Sequence, residues 1–216
     1  MKLSVLILNL AKGMLVSIEI FILTLLFSLP LGLVVAFARM SDNKIIKNIT
    51  RIYISIMRGT PLMLQLMVVY YGPYYLFEIQ LPKGYRFLAV IIAFVLNYAA
   101  YFAEIYRGGI ESMEVGQYEA AKVLGYTETQ TFMKIILPQV IKRILPSITN
   151  EVITLIKDTS LAFTISVAEM FTAARAISAA QSSLMPFLVA GIFYYIFNFI
   201  VAFTMEWIEN KLAYYK

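Results

Sequence analysis

Apolar residues dominate five stretches of this chain, at roughly 14–38, 61–77, 85–106, 146–168 and 186–207. An α-helix needs about 20 such residues to cross about 30 Å of hydrocarbon, so each stretch reads as a membrane span. The second is the shortest, and Gly72-Pro73 interrupts its outer end. Between the first two the pattern changes. Ile45, Ile49, Ile52 and Ile56, with Ile46, Tyr53 and Met57, recur at helical spacing, while Lys44, Lys47, Arg51 and Ser55 fall on the other side. That pattern predicts a basic amphipathic helix lying in the membrane interface. Gly59-Thr60-Pro61 is then expected to supply a turn, an N-cap and a first-position proline that open the second span, one long helix through the whole region being the alternative.

Composition supports an all-α integral membrane protein forming one domain over residues 1–216. The chain is 61% hydrophobic and 14% charged, against about 45–50% and about 25% in soluble domains, and its mean hydropathy is +0.78. Ala36-Phe37-Ala38 looks like a signal-peptidase site, but the preceding run exceeds the ~7–15 residues of a secretory signal and contains Glu19, so a permanent span is expected.

Lysine and arginine accumulate on the cytoplasmic side of spans. Arg39, Lys44, Lys47, Arg51 and Arg58 separate the first two stretches; Arg107, Lys122, Lys134, Lys142 and Arg143 separate the third and fourth; Lys211 and Lys216 follow the fifth. The opposite connections hold Lys83, Arg86 and Arg175, with Lys2 and Lys12 at the N-terminus. The expected orientation is N-terminus outside and C-terminus cytoplasmic, with Trp207, Tyr214 and Tyr215 at the inner interface. The net charge of +5 therefore reads as a topology signal and not as a nucleic-acid footprint.

The chain has no histidine and no cysteine. Imidazole and thiolate metal sites, Cys/His nucleophile pairs and the commonest general base are thereby excluded. No phosphate-binding Gly-x-x-x-x-Gly-Lys-Ser/Thr loop occurs either. A membrane enzyme has little to work with, and five spans without a visible internal repeat disfavour an inverted-repeat carrier.

The long connection at 112–142 carries the most specific signal. Glu119-Ala120-Ala121 is followed by Gly125, a left-handed helix stop, and Thr127 and Gln130 have capping-box spacing that starts a second helix. Small side chains at Ala120 and Ala121 would let another surface approach. With Ile135-x-Leu137-Pro138 following Gly125 after nine intervening residues, the connection resembles the Glu-Ala-Ala loop of ATP-binding-cassette importers. Arg58-Gly59-Thr60-Pro61, the run from Ala100 to Ile110 and the run from Leu155 to Leu161 are similar to the polar amino-acid permeases of that family (histidine, arginine, glutamine, glutamate and opine importers).

The resemblance covers roughly residues 14–210. It implies a transport subunit that is not itself an enzyme, with ATP and Mg bound by a partner ATPase dimer. A second permease subunit, identical or different, and an external amino-acid-binding protein are implied too. It makes Glu119, Ala120, Ala121 and Gly125 the elements that couple to the ATPase.

Ionisable residues within spans are candidate functional sites. Lys157 and Asp158 fall near the middle of the fourth stretch, and Glu151 lies seven residues earlier on nearly the same face. Together they offer an anion and a cation to an amino-acid zwitterion. The alternative is a set of structural ion pairs, for instance toward Glu104 or Arg107. Asn97 is the best neutral polar candidate, or else an interhelical hydrogen bond; Glu19 is expected to be structural. Glu104, Glu151 and Asp158 outnumber the lysine, a lean toward a cationic substrate.

Overall fold

The computed structural model describes residues 3–82 and 84–212, which form helices and turns without a strand. Lys83 and the terminal Lys2, Tyr214, Tyr215 and Lys216, which entered the orientation argument, lie outside the described residues. Helix α1 (Leu3–Met40) is followed by α2 (Lys44–Gly59), α3 (Leu62–Phe77) and α4 (Tyr85–Glu111). A helix-turn-helix follows, α5 (Val115–Val123) and α6 (Glu128–Thr131), the latter running through a π-helical turn (Phe132–Ile136) into α7 (Leu137–Asp158). A 3₁₀ segment (Thr159–Ile165), α8 (Met170–Gln181) and α9 (Met185–Leu212) complete the chain.

Three helices, α1, α4 and α9, are each long and apolar enough to cross a membrane. Two bent pairs bring the possible total to five: α2 with α3, turned through 110°, and the α6–3₁₀ stretch with α8, turned through 57°. The 110° bend rules out one long helix through α2 and α3. Its cause is local. Thr60 precedes Pro61, whose ring disfavours helical backbone at the residue before it, and Thr60 is extended at φ −124° and ψ 149°.

Several boundaries differ from expectation. Thr60 does not cap α3: its hydroxyl donates back to the Ile56 carbonyl at 2.8 Å, and Pro61 occupies the cap position. Gly72-Pro73 does not interrupt the helix, which continues to Phe77 and stops at Glu78 in a left-handed conformation. Pro146 does not open the fourth span but lies inside α7. At the far end, regular α-helix stops at Asp158, and the expected outer loop contains α8. Prolines are tolerated inside membrane helices where neighbouring groups satisfy the freed carbonyls.

Helix α4 is the centre of the bundle. Its alanines at 89, 93, 99, 100 and 103 are buried, as are Phe94, Tyr98 and Phe102. On α1, Ser17, Thr24, Ser28, Gly32 and Ala36 are all buried and mostly one helical turn apart; of these, Gly32 lies against Ala99, Phe102 and Ala103 of α4 and Ala36 packs with Ala100 and Ala103. Helices in lipid associate through close packing, since apolar tails provide no hydrophobic drive between them, and small residues permit the approach. The same rule explains Gly13, where an added Cβ would come within 2.7 Å of the Met170 Cα. That contact seats the start of α8 against α1. Helix α9, by contrast, buries only Pro186 and Ala190.

Candidate functional site

Asp158 is the last α-helical residue of α7 before the chain tightens into the 3₁₀ segment. The Tyr98 hydroxyl, from the middle of α4, donates to its Oδ2 at 2.7 Å. Tyr98 is itself 2% exposed, so the ring is fixed and the carboxylate keeps one oxygen without a side-chain donor among the described residues. Lys157 is exposed and forms no ion pair among the described residues. Neighbouring helical side chains diverge by about 100°, which leaves the ammonium and the carboxylate presented separately. Glu151, two turns earlier and partly buried, lies within electrostatic reach of both Asp158 and Arg58.

The anticipated alternative, ion pairs from Lys157 or Asp158 to Glu104 or Arg107, does not form among the described residues. Glu104 and Arg107 pair with each other instead, through Nε at 3.0 Å and Nη2 at 2.7 Å. Arg58 and Arg39 approach the same carboxylate at 3.8 and 4.0 Å, and Arg107 also reaches Glu111. The Arg58 guanidinium stacks over the Tyr101 ring at 5.3 Å. This cluster joins the ends of α1, α2 and α4.

Asn97 is occupied elsewhere. Its amide donates to the Met57 carbonyl at 3.0 Å and to Gln65 Oε1 at 2.9 Å. Gln65 in turn donates to Met57, to the Thr60 carbonyl and to the Thr60 hydroxyl. The two amides staple the α2–α3 bend, the interhelical role weighed for Asn97. Glu19 is exposed on α1.

Sequence reasoning missed Glu169. It is fully buried and caps α8, accepting from the Phe171 and Thr172 amides at 2.7 and 2.6 Å and from the Thr172 hydroxyl at 2.8 Å. Ser17 of α1 and Tyr194 of α9 also donate to it, at 3.4 and 3.2 Å. Glutamate is not a preferred N-cap type, and the residue sits just beyond the fourth apolar stretch, where a loop was expected. Its neighbours arrive from distant segments, so no local spacing announced them.

The first helix, the turn and the start of the second helix form as anticipated, but the second helix, expected to be short, runs on through the π-helical turn into α7. Gly125 has φ +79°. The Tyr126 amide donates to the Ala121 carbonyl and the Gly125 amide to that of Lys122, each at 3.0 Å, the paired bonds of a Schellman stop. Thr127 and Gln130 form the reciprocal capping box. Ala121 differs from expectation: it is 1% exposed, closed inside the motif and not offered to a partner. The presented surface is Tyr118, Glu119, Ala120 and Lys122, with Val123 and Leu124 at 87% and 74% exposed. That apolar pair was not singled out from the sequence.

Residues 28–214 match the family model described as the binding-protein-dependent transport system inner membrane component. The chain belongs to this family. The arginine transport system permease protein ArtQ of Bacillus subtilis is 36% identical over 202 residues, covering 93% of this chain and 91% of the relative. The L-cystine transport system permease protein TcyB of the same organism is 37% identical over 208 residues, covering 95% and 87%. A crystal structure of an amino acid ABC transporter with histidines superposes with a TM-score of 0.85 at 30% identity, covering 94% of each chain. The chain is thus a permease subunit of the amino-acid ATP-binding-cassette importers, in which ATPase activity belongs to a partner subunit.

Proposed function

We propose that this permease forms the path for a polar amino acid and that the substrate meets Asp158, Lys157 and Glu151 on the way. The single observation supporting this is the separate presentation of charge at the end of α7: a carboxylate steadied by Tyr98 beside an ammonium without an ion-pair partner among the described residues. The substrate ammonium docks on Asp158 and its carboxylate turns to Lys157. Glu151 lies along the same helix for a cationic side chain. Glu104 adds nothing to that preference, since arginines hold it, so the lean toward a cationic amino acid rests on two carboxylates against one lysine.

The remaining parts follow from the same reading. Two permease chains pair, an external binding protein delivers substrate, and two ATPase subunits carry ATP and Mg. The exposed side of α5, with Glu119 and Ala120, docks on the ATPase, and Gly125 sets its angle. The N-terminus is outside and the C-terminus cytoplasmic. The native chain lacks cysteine, so Gln80→Cys should label only from outside, and labelling only from the cytoplasm would reverse the orientation. Uptake of a panel of labelled amino acids by the reconstituted complex tests the path itself. Normal rates and normal preference in both Asp158→Asn and Lys157→Met would remove these residues from it.

A further inference from the structure

A cleft of about 850 Å³ opens between the start of α7, the turn after α4 and the last turn of α9. Its size falls in the range of about 300–1,000 Å³ typical of ligand sites. Two kinds of residue line it. Lys134, Lys142 and Arg143 supply three positive charges, and no acidic side chain is among the lining residues. Ile135, Pro138, Ile141, Pro146 and Leu212 supply apolar lining interspersed with those charges. Arg143 gives one guanidinium N–H to the Ser112 carbonyl at 3.0 Å and keeps its other donors. Lys134 and Lys142 form no ion pair among the described residues.

We infer that this cleft binds an anionic phospholipid, its headgroup held by cations of the lining and its acyl chains against the apolar residues. Charge selects the occupant. A zwitterionic headgroup carries its own ammonium among these cations, whereas a net anionic one does not, and basic pockets between membrane helices at the cytoplasmic surface suit such headgroups. The apolar lining distinguishes a lipid from a free phosphate, which has nothing to place there. That the lipid comes from the inner leaflet rests on the orientation proposed above, which cysteine labelling reports independently of any lipid measurement.

A purified permease–ATPase complex carrying Trp207→Phe and Ile141→Trp has one indole in each copy of this chain, placed in the cleft. Quenching by brominated phosphatidylglycerol is compared with quenching by brominated phosphatidylcholine in mixed bilayers. The anionic lipid should bind about five- to tenfold more tightly, given the attraction of each nearby cation. The preference should disappear in Lys134→Gln/Lys142→Gln and persist in Lys44→Gln/Lys47→Gln. Should the first variant fail to assemble, a tenfold rise in salt must reduce the preference of the otherwise unaltered complex. Equal quenching by both lipids overturns the inference, as does preference that survives both charge removal and salt. Absence of quenching by either lipid also overturns it, because the ATPase or a second permease then covers the cleft.

Discussion

Two carboxylates inside the bundle meet different fates. Glu104 is held by Arg107, with Arg58 and Arg39 close by, in a cluster joining three helices. Asp158 receives one tyrosine hydroxyl, and Lys157 beside it in sequence forms no ion pair among the described residues. In the first, charge is neutralised by neighbours that never leave, so it serves the fold. In the second, charge is only partly satisfied where the helix changes its winding, and in the proposed reading the substrate meets it there. Sequence position alone treats both as span acids. The partners separate them.

The sharpest way to break this contrast is Asp158→Asn. Hydrogen bonds to charged groups contribute about 1.5–3 kcal/mol, so uptake should fall roughly 10- to 100-fold with the complex still assembled, as flux per purified complex measures. Gly125→Val provides a control at a distance. No atom would crowd a new Cβ there, but φ of +79° burdens a β-branched residue by roughly 1–2 kcal/mol. Uptake should drop on the order of tenfold for every amino acid alike, without a change of preference. Within the same motif, Ala120→Trp should weaken ATPase capture while α5 stays folded. Ala121→Trp, at a closed position, should unfold the turn, which limited proteolysis would detect. Tyr98→Phe removes only the hydroxyl on Asp158, about 1 kcal/mol, and should raise the half-saturating substrate concentration several-fold. Glu104→Gln should have the smallest effect on uptake, within about threefold per folded complex. It should lower the thermal midpoint by several degrees, since arginines then lose their counter-charge.

Much of the architecture was legible because membrane helices announce themselves by length and apolarity. The α5 stop and the capping box were legible because glycine, threonine and glutamine act on their own local backbone. What was hidden depended on distant partners. Thr60 has an N-cap side chain, yet Pro61 forces it extended, and its hydroxyl returns to Ile56. Ala121 is small and sits between Ala120 and Lys122, but it is closed inside the motif that Gly125 turns. Glu169 draws its donors from α1, α8 and α9, and no window of sequence contains all three. Among the candidate site residues, Asp158 and Lys157 were singled out because they fall within an apolar stretch, and Tyr98 partners Asp158. Asn97 and Glu104 were found by the same rule and are occupied by Gln65 and by arginines.

Competitive uptake of lysine, glutamine and glutamate by reconstituted Asp158→Asn and Glu104→Gln complexes, each normalised to bound ATPase, tests the central claim most directly. The account predicts that Asp158→Asn lowers uptake of all three roughly 10- to 100-fold, since each offers an α-ammonium to Asp158, while Glu104→Gln leaves all three within about threefold. Unchanged rates in Asp158→Asn, or a changed order of preference in Glu104→Gln alone, would contradict it.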